Sequence, residues 1–213
     1  MKINRLLFIA SIVFVAFIAL SGCAKREIKN IGSQGENIIC FGDSMTFGYG
    51  VQPGEDYPTA LSKLLGKPVI NAGVDGDTTN EALLRIKTDV LAKHPFLVII
   101  EFGGNDFVKQ IPKEKTLNNI REMVDLVQQK GAMVAIVDIS ASLFFSEYKR
   151  EFSKLAKEKG TIFIPHILSG IITNPSLKSD FLHPNAEGYK IIAQRIYRAI
   201  IPYLNQNPSQ KHE

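Results

Sequence analysis

Short apolar runs alternate with longer amphipathic stretches along residues 37–204. Five of these runs are continuously apolar instead of alternating with polar residues, which is typical of parallel strands covered by helices on both faces. We predict five strands from them: Asn37–Phe41, Pro68–Asn71, Phe96–Glu101, Met133–Asp138 and Thr161–Ile164.

The stretches between the runs carry apolar residues at helical spacing. Thr79–Lys93, for example, places Leu83, Ile86 and Val90 largely on one side of a helix. We predict five helices: Tyr57–Leu65, Thr79–Lys93, Leu117–Lys130, Ser146–Lys159 and Ala186–Leu204. The alternation of strands and helices predicts an α/β fold whose parallel sheet has right-handed crossovers and the strand order 2-1-3-4-5.

Residues 1–22 have the layout of a secretory signal peptide. Lys2 and Arg5 precede an apolar run that is short for a membrane span, which needs about 20 residues. The segment Leu20-Ser21-Gly22-Cys23 then resembles a bacterial lipobox, which implies that Cys23 is lipidated and becomes the mature N-terminus. We therefore predict a lipid-anchored protein of the bacterial cell envelope. Plain secretion and an uncleaved anchor remain alternatives.

The remaining segments divide the chain into a tether, one domain and a tail. Residues 24–36 are polar with little apolar periodicity, so we predict that residues 23–36 hold the lipidated cysteine and a tether. A length of 213 residues suits one domain, which we place at residues 37–204. Residues 205–213 form a polar tail.

Composition and charge argue against a nucleic-acid partner. The net charge is +4, and two of the basic residues, Lys2 and Arg5, lie in the predicted signal peptide. No cluster of Lys and Arg interleaved with aromatic residues is present. A disulfide between Cys23 and Cys40 is the alternative to lipidation, but Cys40 lies inside an apolar run and is predicted to be a buried thiol. The sequence leaves the oligomeric state open.

Polar residues follow the predicted strands at the places where ligands bind in parallel sheets, which is outside the carboxyl ends of the strands. Ser44 follows the first strand, Gly73 the second and Asn105 the third. Asp180 and His183 lie in the loop before the last helix. We expect these residues to meet at one edge of the sheet.

These residue types can together perform acyl transfer. Ser44 can be the nucleophile if a base lies within reach, and His183 has a suitable unperturbed pKa, near 6.5. Asp180 precedes His183 by three residues and can orient the imidazole ring. We predict that the backbone N–H groups of Ser44 and Gly73 and the side-chain amide of Asn105 stabilise the oxyanion.

Four sequence blocks resemble those of the SGNH, or GDSL-type, hydrolases and occur in the order of that family. They are Phe41–Gly48 around Ser44, Asn71–Thr79 around Gly73, Glu101–Asp106 around Asn105, and Asp180–Asn185 with Asp180 and His183. The resemblance is closest to the lysophospholipase, thioesterase and arylesterase subgroup. Met45 departs from the pattern, because the family usually has leucine there.

The resemblance implies a flavodoxin-like three-layer α/β/α sandwich and a serine esterase. The implied substrate is a small acyl ester or thioester, and the family uses no metal and no organic cofactor. A carbohydrate O-acetyl esterase and a non-catalytic binding lipoprotein of the envelope are alternatives.

Other roles compete for several of these residues. Ser44 could cap a helix, Gly73 and Asn105 could be turn residues, and Asp180 and His183 could be a surface acid and a helix start. His166 is a rival base because it follows the fifth strand. Asp75, Asp77 and Asp106 could form a metal cluster, although helix capping explains them better, and Phe144, Phe145 and Tyr148 could form either an acyl-binding lip or part of the core.

Overall fold

A computed structural model describes residues 27–139 and 146–207, so the predicted signal peptide, Cys23 and most of the polar tail lie outside the described residues. The strands are β1 Asn37–Gly42, β2 Val69–Gly73, β3 Pro95–Glu101, β4 Met133–Val137 and β5 Ile162–Ile164. The α-helices are α1 Ser44–Phe47, α2 Tyr57–Leu65, α3 Thr79–Asp89, α4 Gly104–Val108, α5 Lys113–Gln129, α6 Ser146–Lys159 and α7 Ala186–Leu204. Short 3-10 helices occupy Leu91–Lys93 and Pro175–Leu177.

The five strands form one parallel sheet in the order β2-β1-β3-β4-β5, which confirms the predicted topology. Every residue of β3 and β4 is buried, because these strands have neighbours on both sides and helices on both faces. β2 lies at an edge of the sheet and is largely half-buried or exposed, so the prediction that all five strands are buried is wrong for β2.

Helices cover both faces of the sheet and complete the predicted three-layer sandwich. Helices α2 and α7 contact each other on one face, whereas α5 contacts both α3 and α6 on the other. Cys40 lies in β1 and is wholly buried with a free thiol, as predicted. No helix in the described part of the chain combines the length and the apolarity that crossing a bilayer requires.

Differences in helix bounds occur where apolar periodicity is weak. α5 begins at Lys113, before the predicted start at Leu117, because its first turn is polar. α3 ends at Asp89 and a 3-10 turn follows, so the predicted helix over Thr79–Lys93 is interrupted. α1 and α4 were not predicted because four or five residues are too few to show a 3.6-residue period.

The segment before β1 packs against the body instead of hanging free. Ile28 is 5% exposed and belongs to the hydrophobic core. Asn207, at the start of the predicted polar tail, is also buried, and its side-chain amide donates to the carbonyl of Ser33. Residues 27–36 therefore form part of the folded body, although they belong to the predicted tether.

Candidate active site

The site lies at the carboxyl ends of β1 and β3, which are neighbours in the sheet. The chain leaves β1 toward one edge and β3 toward the other, and such a switch point opens a crevice. Ser44 follows β1 directly and Asn105 follows β3. The structure brings Ser44, Asn105, Asp180 and His183 together, as predicted.

Ser44 is the first residue of α1 and not its cap. The cap is Asp43, whose carboxylate accepts a hydrogen bond from the Met45 N–H at 3.2 Å. The Ser44 hydroxyl is therefore available, and its Oγ lies 3.0 Å from Nε2 of His183. These two residues are 139 positions apart in the chain.

His183 is held on its other side by Asp180. Nδ1 of the ring lies 2.8 Å from Oδ2 of Asp180. An ionised carboxylate can only accept hydrogen bonds, so Nδ1 carries the ring proton and Nε2 is left to accept the proton of Ser44. Oδ1 of Asp180 also accepts the backbone N–H of Leu182 at 2.7 Å and that of His183 at 2.8 Å.

The Asp180 carboxyl group is stabilised in its ionised form. Partial burial opposes ionisation, but the hydrogen bonds from the backbone and ring of His183 and the backbone of Leu182 outweigh it and lower the pKa of Asp180. The carboxylate therefore remains negative at neutral pH. A negative group at this place favours the imidazolium form that a general base passes through.

An aromatic ring packs on His183. The ring centroids of Tyr49 and His183 are 4.5 Å apart, with an angle of 40° between the planes. The carbonyl of Tyr49 accepts a hydrogen bond from the Tyr189 hydroxyl on α7 at 3.0 Å. A Cβ on Gly50, which has φ +83°, would stand 2.2 Å from Oγ of Ser179, so glycine is required where these two loops meet.

Asn105 already uses its amide in the structure. Nδ2 donates to the carbonyl of Asp77 at 3.0 Å and to Oδ2 of Asp43 at 3.3 Å. The first contact joins the loop after β2 to the loop after β3, and the second joins Asn105 to the Ser44 turn. The amide therefore connects three of the loops at this edge and lines the same cavity as Ser44.

Gly73 packs against α1, the short helix that begins at Ser44. Its N–H donates to the side-chain Oδ1 of Asn71 at 2.9 Å. A Cβ at this position would stand 2.1 Å from the Phe47 nitrogen, so the glycine allows β2 to approach α1. From this loop it is Asp75, and not Gly73, that is among the described residues lining the cavity beside Ser44.

Two buried carboxyl groups, those of Asp43 and Glu101, lie beneath the turn that carries Ser44. Glu101 is 0% exposed at the end of β3, and its Oε2 accepts the Thr46 hydroxyl at 2.8 Å. Its Oε1 has no hydrogen-bond partner among the described residues. Burial is the main cause that raises the pKa of Glu101 well above its usual range, and the neighbouring Asp43 carboxyl raises it further. Burial also raises the pKa of Asp43. A charged residue closing a wholly apolar strand is the sequence signal that points to Glu101.

An apolar cavity of about 220 Å³ opens beside Ser44 and His183. Ser44, Asn105 and His183 line it on one side. Its apolar wall is formed by Met45, Val108, Ile139, Leu168, Ile172 and Leu182. A larger cavity of about 850 Å³ lies at the opposite edge of the sheet, but its lining includes none of the predicted catalytic residues.

The comparison with protein families agrees with this arrangement. The model of the GDSL-like lipase/acylhydrolase family matches residues 40–191, a range that contains Ser44, Asn105, Asp180 and His183. The chain belongs to this family. The predicted GDSL membership is confirmed.

Individual relatives of this GDSL hydrolase are bacterial proteins. An arylesterase from Vibrio mimicus is 29% identical over 206 residues, which cover 89% of this chain and 96% of that protein. Thioesterase 1/protease 1/lysophospholipase L1 from Escherichia coli K12 is 26% identical over 180 residues, which cover 81% and 86%. The solved structure of the psychrotrophic esterase EstA from Pseudoalteromonas sp. has a TM-score of 0.71 at 26% identity, and the match covers 79% of this chain and 98% of that one. The chain is an ester hydrolase of the GDSL type.

The rival residues in this GDSL hydrolase have other partners. Nε2 of His166 lies 2.9 Å from Nζ of Lys149, and its backbone N–H donates to Asp138. His183, and not His166, contacts Ser44.

Two of the three acids of the possible metal cluster, Asp77 and Asp106, have structural partners. Oδ2 of Asp77 accepts from Arg85 at 2.6 Å, and Asp106 accepts from Thr79 and Thr116. No group of three potential ligands suited to a metal ion occurs within residues 27–139 and 146–207.

The aromatic residues considered as an acyl-binding lip are only partly described. Phe144 and Phe145 lie outside the described residues. Tyr148 packs edge-on against Phe107 and Phe152. It lines a separate cavity with Phe107 and Val108. The ring contacts of Tyr148 are therefore those of a residue that packs within the fold.

Proposed function

We propose that this GDSL hydrolase is a serine esterase that cleaves acyl esters or thioesters through an acyl-enzyme on Ser44. The proposal rests on one observation: the imidazole ring of His183 contacts Ser44 on one side and Asp180 on the other. Nε2 of His183 lies 3.0 Å from Oγ of Ser44, and Nδ1 lies 2.8 Å from Asp180. This is the order of nucleophile, base and orienting acid that acyl transfer requires.

In the first half-reaction, Oγ of Ser44 attacks the acyl carbonyl carbon while its proton moves to Nε2 of His183. The carboxylate of Asp180 stabilises the imidazolium that forms. The tetrahedral intermediate collapses when His183 protonates the leaving alcohol or thiol, which leaves the acyl group on Ser44. A water molecule then repeats the sequence, with His183 as base, and releases the carboxylic acid.

The oxyanion is stabilised by the N–H of Ser44 and the side-chain amide of Asn105. Ser44 is the first residue of α1, so its N–H has no acceptor within the helix. The Asn105 amide exchanges its long bond to Asp43, 3.3 Å, for the substrate oxygen. The N–H of Gly73 is the third donor and exchanges its bond to Oδ1 of Asn71 for the same substrate oxygen, since Gly73 packs against the helix that begins at Ser44.

The apolar cavity accepts the acyl chain of the substrate. Each methylene group that it buries contributes about 0.8 kcal/mol to binding, so an acyl chain of several carbons is preferred over acetyl. A p-nitrophenyl ester series from acetyl to dodecanoyl, compared with a lysophospholipid and an acyl thioester, identifies the leaving group and chain length. A rate confined to acetyl esters would favour the alternative of a carbohydrate O-acetyl esterase.

The Ser44→Ala variant of the full chain tests the nucleophile. We expect loss of ester hydrolysis by a factor of about 10⁴ or more, an unchanged melting temperature, and no labelling by a fluorophosphonate probe. The wild-type chain is expected to be labelled on Ser44. A wild-type chain that neither reacts with the probe nor hydrolyses any ester would support a non-catalytic binding lipoprotein instead.

We also propose that the signal peptide of residues 1–22 is removed and that Cys23 carries the lipid anchor in the cell envelope. The support is the order of residues at the N-terminus, where basic residues are followed by an apolar run and then by Leu20-Ser21-Gly22-Cys23. Mass spectrometry of the chain expressed in bacteria should find acyl groups on Cys23. The Cys23→Ala variant should leave the membrane fraction while keeping ester hydrolysis.

A further inference from the structure

The N-terminal segment enters the body at a defined place. The backbone N–H of Lys29 donates to the carbonyl of Gly160 at 2.9 Å. The Asn30 amide donates to the carbonyls of Gln128 and Ala132, both at 2.9 Å. These acceptors lie a few residues before β4 and β5. Residues 29 and 30 are therefore fixed at the side of the sheet where the strands begin, which we call the amino edge.

The active site lies at the other edge. Ser44 follows the carboxyl end of β1, and all strands of the sheet are parallel. The seven residues of β3 separate the two edges by roughly 20 Å, at about 3.3 Å per residue. The point of chain entry and the catalytic serine are therefore on opposite sides of the molecule.

Little chain separates the proposed lipid from this entry point. Cys23 precedes Glu27 by four residues. Even a fully extended chain of that length reaches at most about 14 Å. A lipid on Cys23 would therefore keep the amino edge of the sheet close to the membrane and leave the carboxyl edge facing away from it.

The amino edge also carries an excess of positive charge. A lysine precedes each of β2, β3, β4 and β5 by a few residues, and one more lies in the entry segment. We call these five residues the basic edge: Lys29, Lys67, Lys93, Lys130 and Lys157. Lys29, Lys130 and Lys157 are exposed.

Acidic residues only partly offset the charge of the basic edge: the exposed Glu158 lies next to Lys157 and 3.4 Å from Arg121. Glu27 and Glu36 are the exposed acids beside the entry segment. Asp125 is already paired with a further lysine, Lys159, at 2.9 Å. Clustered lysines are attracted to the anionic headgroups of a phospholipid surface, so the charge and the position of the anchor favour the same orientation.

We propose that the basic edge lies on the anionic surface of the membrane that holds the Cys23 lipid, and that the active site opens away from that membrane. This inference rests on the proposed lipidation of Cys23. An ester embedded in the same leaflet is out of reach of Ser44. The substrate is therefore an acyl ester or thioester that arrives from the aqueous side, dissolved or carried on another surface.

Two dye positions at opposite ends of one helix test the orientation. Lys130→Cys is in the basic edge, just after α5, and Lys115→Cys is in the first turn of α5 beside the active-site edge; both lysines are exposed. They are about 22 Å apart along the helix axis, at about 1.5 Å per residue. Cys40 is buried, so each variant of the lipidated full chain offers one accessible thiol for a fluorescent dye.

The labelled chains are reconstituted in vesicles of phosphatidylcholine and phosphatidylglycerol that contain a headgroup spin-labelled lipid. We expect the dye at position 130 to be quenched at least about threefold more than the dye at position 115, because quenching falls steeply over the helix length. Equal quenching, or stronger quenching at position 115, overturns the proposal.

Charge reversal tests the basic edge itself. Lys29→Glu, Lys93→Glu and Lys130→Glu are combined in a chain that carries its dye at position 115. We expect quenching of that dye to rise at least about twofold in the anionic vesicles, because the edge is no longer attracted to the surface. The matched control is Lys178→Glu, at the active-site edge, which should leave the quenching unchanged. An unchanged signal in the triple variant overturns the proposed role of the lysines.

Two further readouts separate this inference from the proposed chemistry. Turnover of a soluble p-nitrophenyl ester should be the same in the wild type and in the charge variants, because none of these lysines touches the catalytic residues. Absence of acyl groups on Cys23 by mass spectrometry overturns the orientation proposal and leaves the Ser44 mechanism intact. If the fluorophosphonate probe does not label the wild-type chain, the Ser44 mechanism is overturned. The orientation can still be measured by quenching in that case.

Discussion

Asp180 contacts His183 twice, through the backbone and through the ring. Its Oδ1 accepts the His183 N–H at 2.8 Å, and its Oδ2 lies 2.8 Å from Nδ1 of the same residue. The carboxylate thereby fixes the path of the loop and the direction of the imidazole together. An acid three residues before the histidine can do both only because the chain turns tightly between them.

The Asp180→Asn variant separates these two roles. An asparagine keeps an oxygen for the backbone N–H groups, but its amide presents a donor to the ring and favours the wrong histidine tautomer. We expect kcat for a p-nitrophenyl ester to fall by about 10³–10⁴, as in serine proteases, while the melting temperature changes little.

The Asp180→Ala variant is the matched control for stability. It removes the acceptor of two backbone N–H groups as well, so we expect a similar loss of kcat together with a lower free energy of unfolding, by about 1–2 kcal/mol. An asparagine variant that keeps activity within about tenfold of the wild type would contradict the proposed role of Asp180.

The Tyr49 ring packs on His183, with the ring centroids 4.5 Å apart, so we expect any effect of Tyr49 on the rate to come from the ring and not from its hydroxyl. Aromatic pairs contribute about 0.5–1.5 kcal/mol beyond area burial, so we expect Tyr49→Ala to lower kcat by up to about tenfold. Tyr49→Phe should retain the wild-type rate. His166→Ala serves as the control for a histidine outside the triad and should also be unaffected. The three rates are compared by steady-state kinetics, and an equal loss in the Phe variant would assign the effect to the hydroxyl.

The topology and the positions of Ser44 and Asn105 could be predicted because both depend on where strands end. The apolar runs locate β1 and β3 to within one residue, and Ser44 and Asn105 follow from these ends. The end of β2 shows the limit of this reasoning. β2 continues to Gly73 instead of ending at Asn71, so the glycine is the last strand residue and packs on α1.

Contacts made by polar groups could not be predicted from periodicity. Residues 27–36 join the body through Ile28 in the core, through backbone hydrogen bonds and through the side chain of Asn30, and one buried apolar residue among polar contacts makes no apolar period in the sequence. Glu101 is similar, since its role depends on burial beside Asp43, which lies on a different strand end. Long-range proximity of this kind appears only in the folded chain.

Filling the apolar cavity should shorten the preferred acyl chain. Ile172 lines the cavity and does not contact the catalytic groups. We expect Ile172→Phe to lower kcat/KM for octanoyl esters about tenfold or more relative to acetyl esters, because about 0.8 kcal/mol is lost for each methylene group that no longer fits.

The control for this change is Leu84→Phe on α3, which adds the same ring at a site that is 86% exposed. Its chain-length profile, measured with the same p-nitrophenyl esters, should match the wild type. An Ile172→Phe profile that is parallel to the wild type at all chain lengths would show that the acyl group binds elsewhere.

The Glu101–Asp43 pair should make stability depend on pH in a definite direction. The pKa of each carboxyl is raised in the folded chain, so the folded state holds protons more tightly than the unfolded state. The stability that this contributes is fully present below the unfolded pKa values, near pH 4, and is lost as the pH rises through the folded values. Glu101→Gln cannot ionise, keeps an oxygen for Thr46 and offers an N–H toward Asp43.

We therefore expect the free energy of unfolding of the wild type to fall between about pH 5 and pH 8 by at least about 1 kcal/mol more than that of Glu101→Gln. Urea unfolding at several pH values measures the difference. The control is Glu122→Gln, an exposed residue on α5, which should follow the wild-type curve. A Glu101→Gln curve with the wild-type slope would mean that Glu101 titrates normally despite its burial, and that the proton beneath the nucleophile turn is not held by this pair.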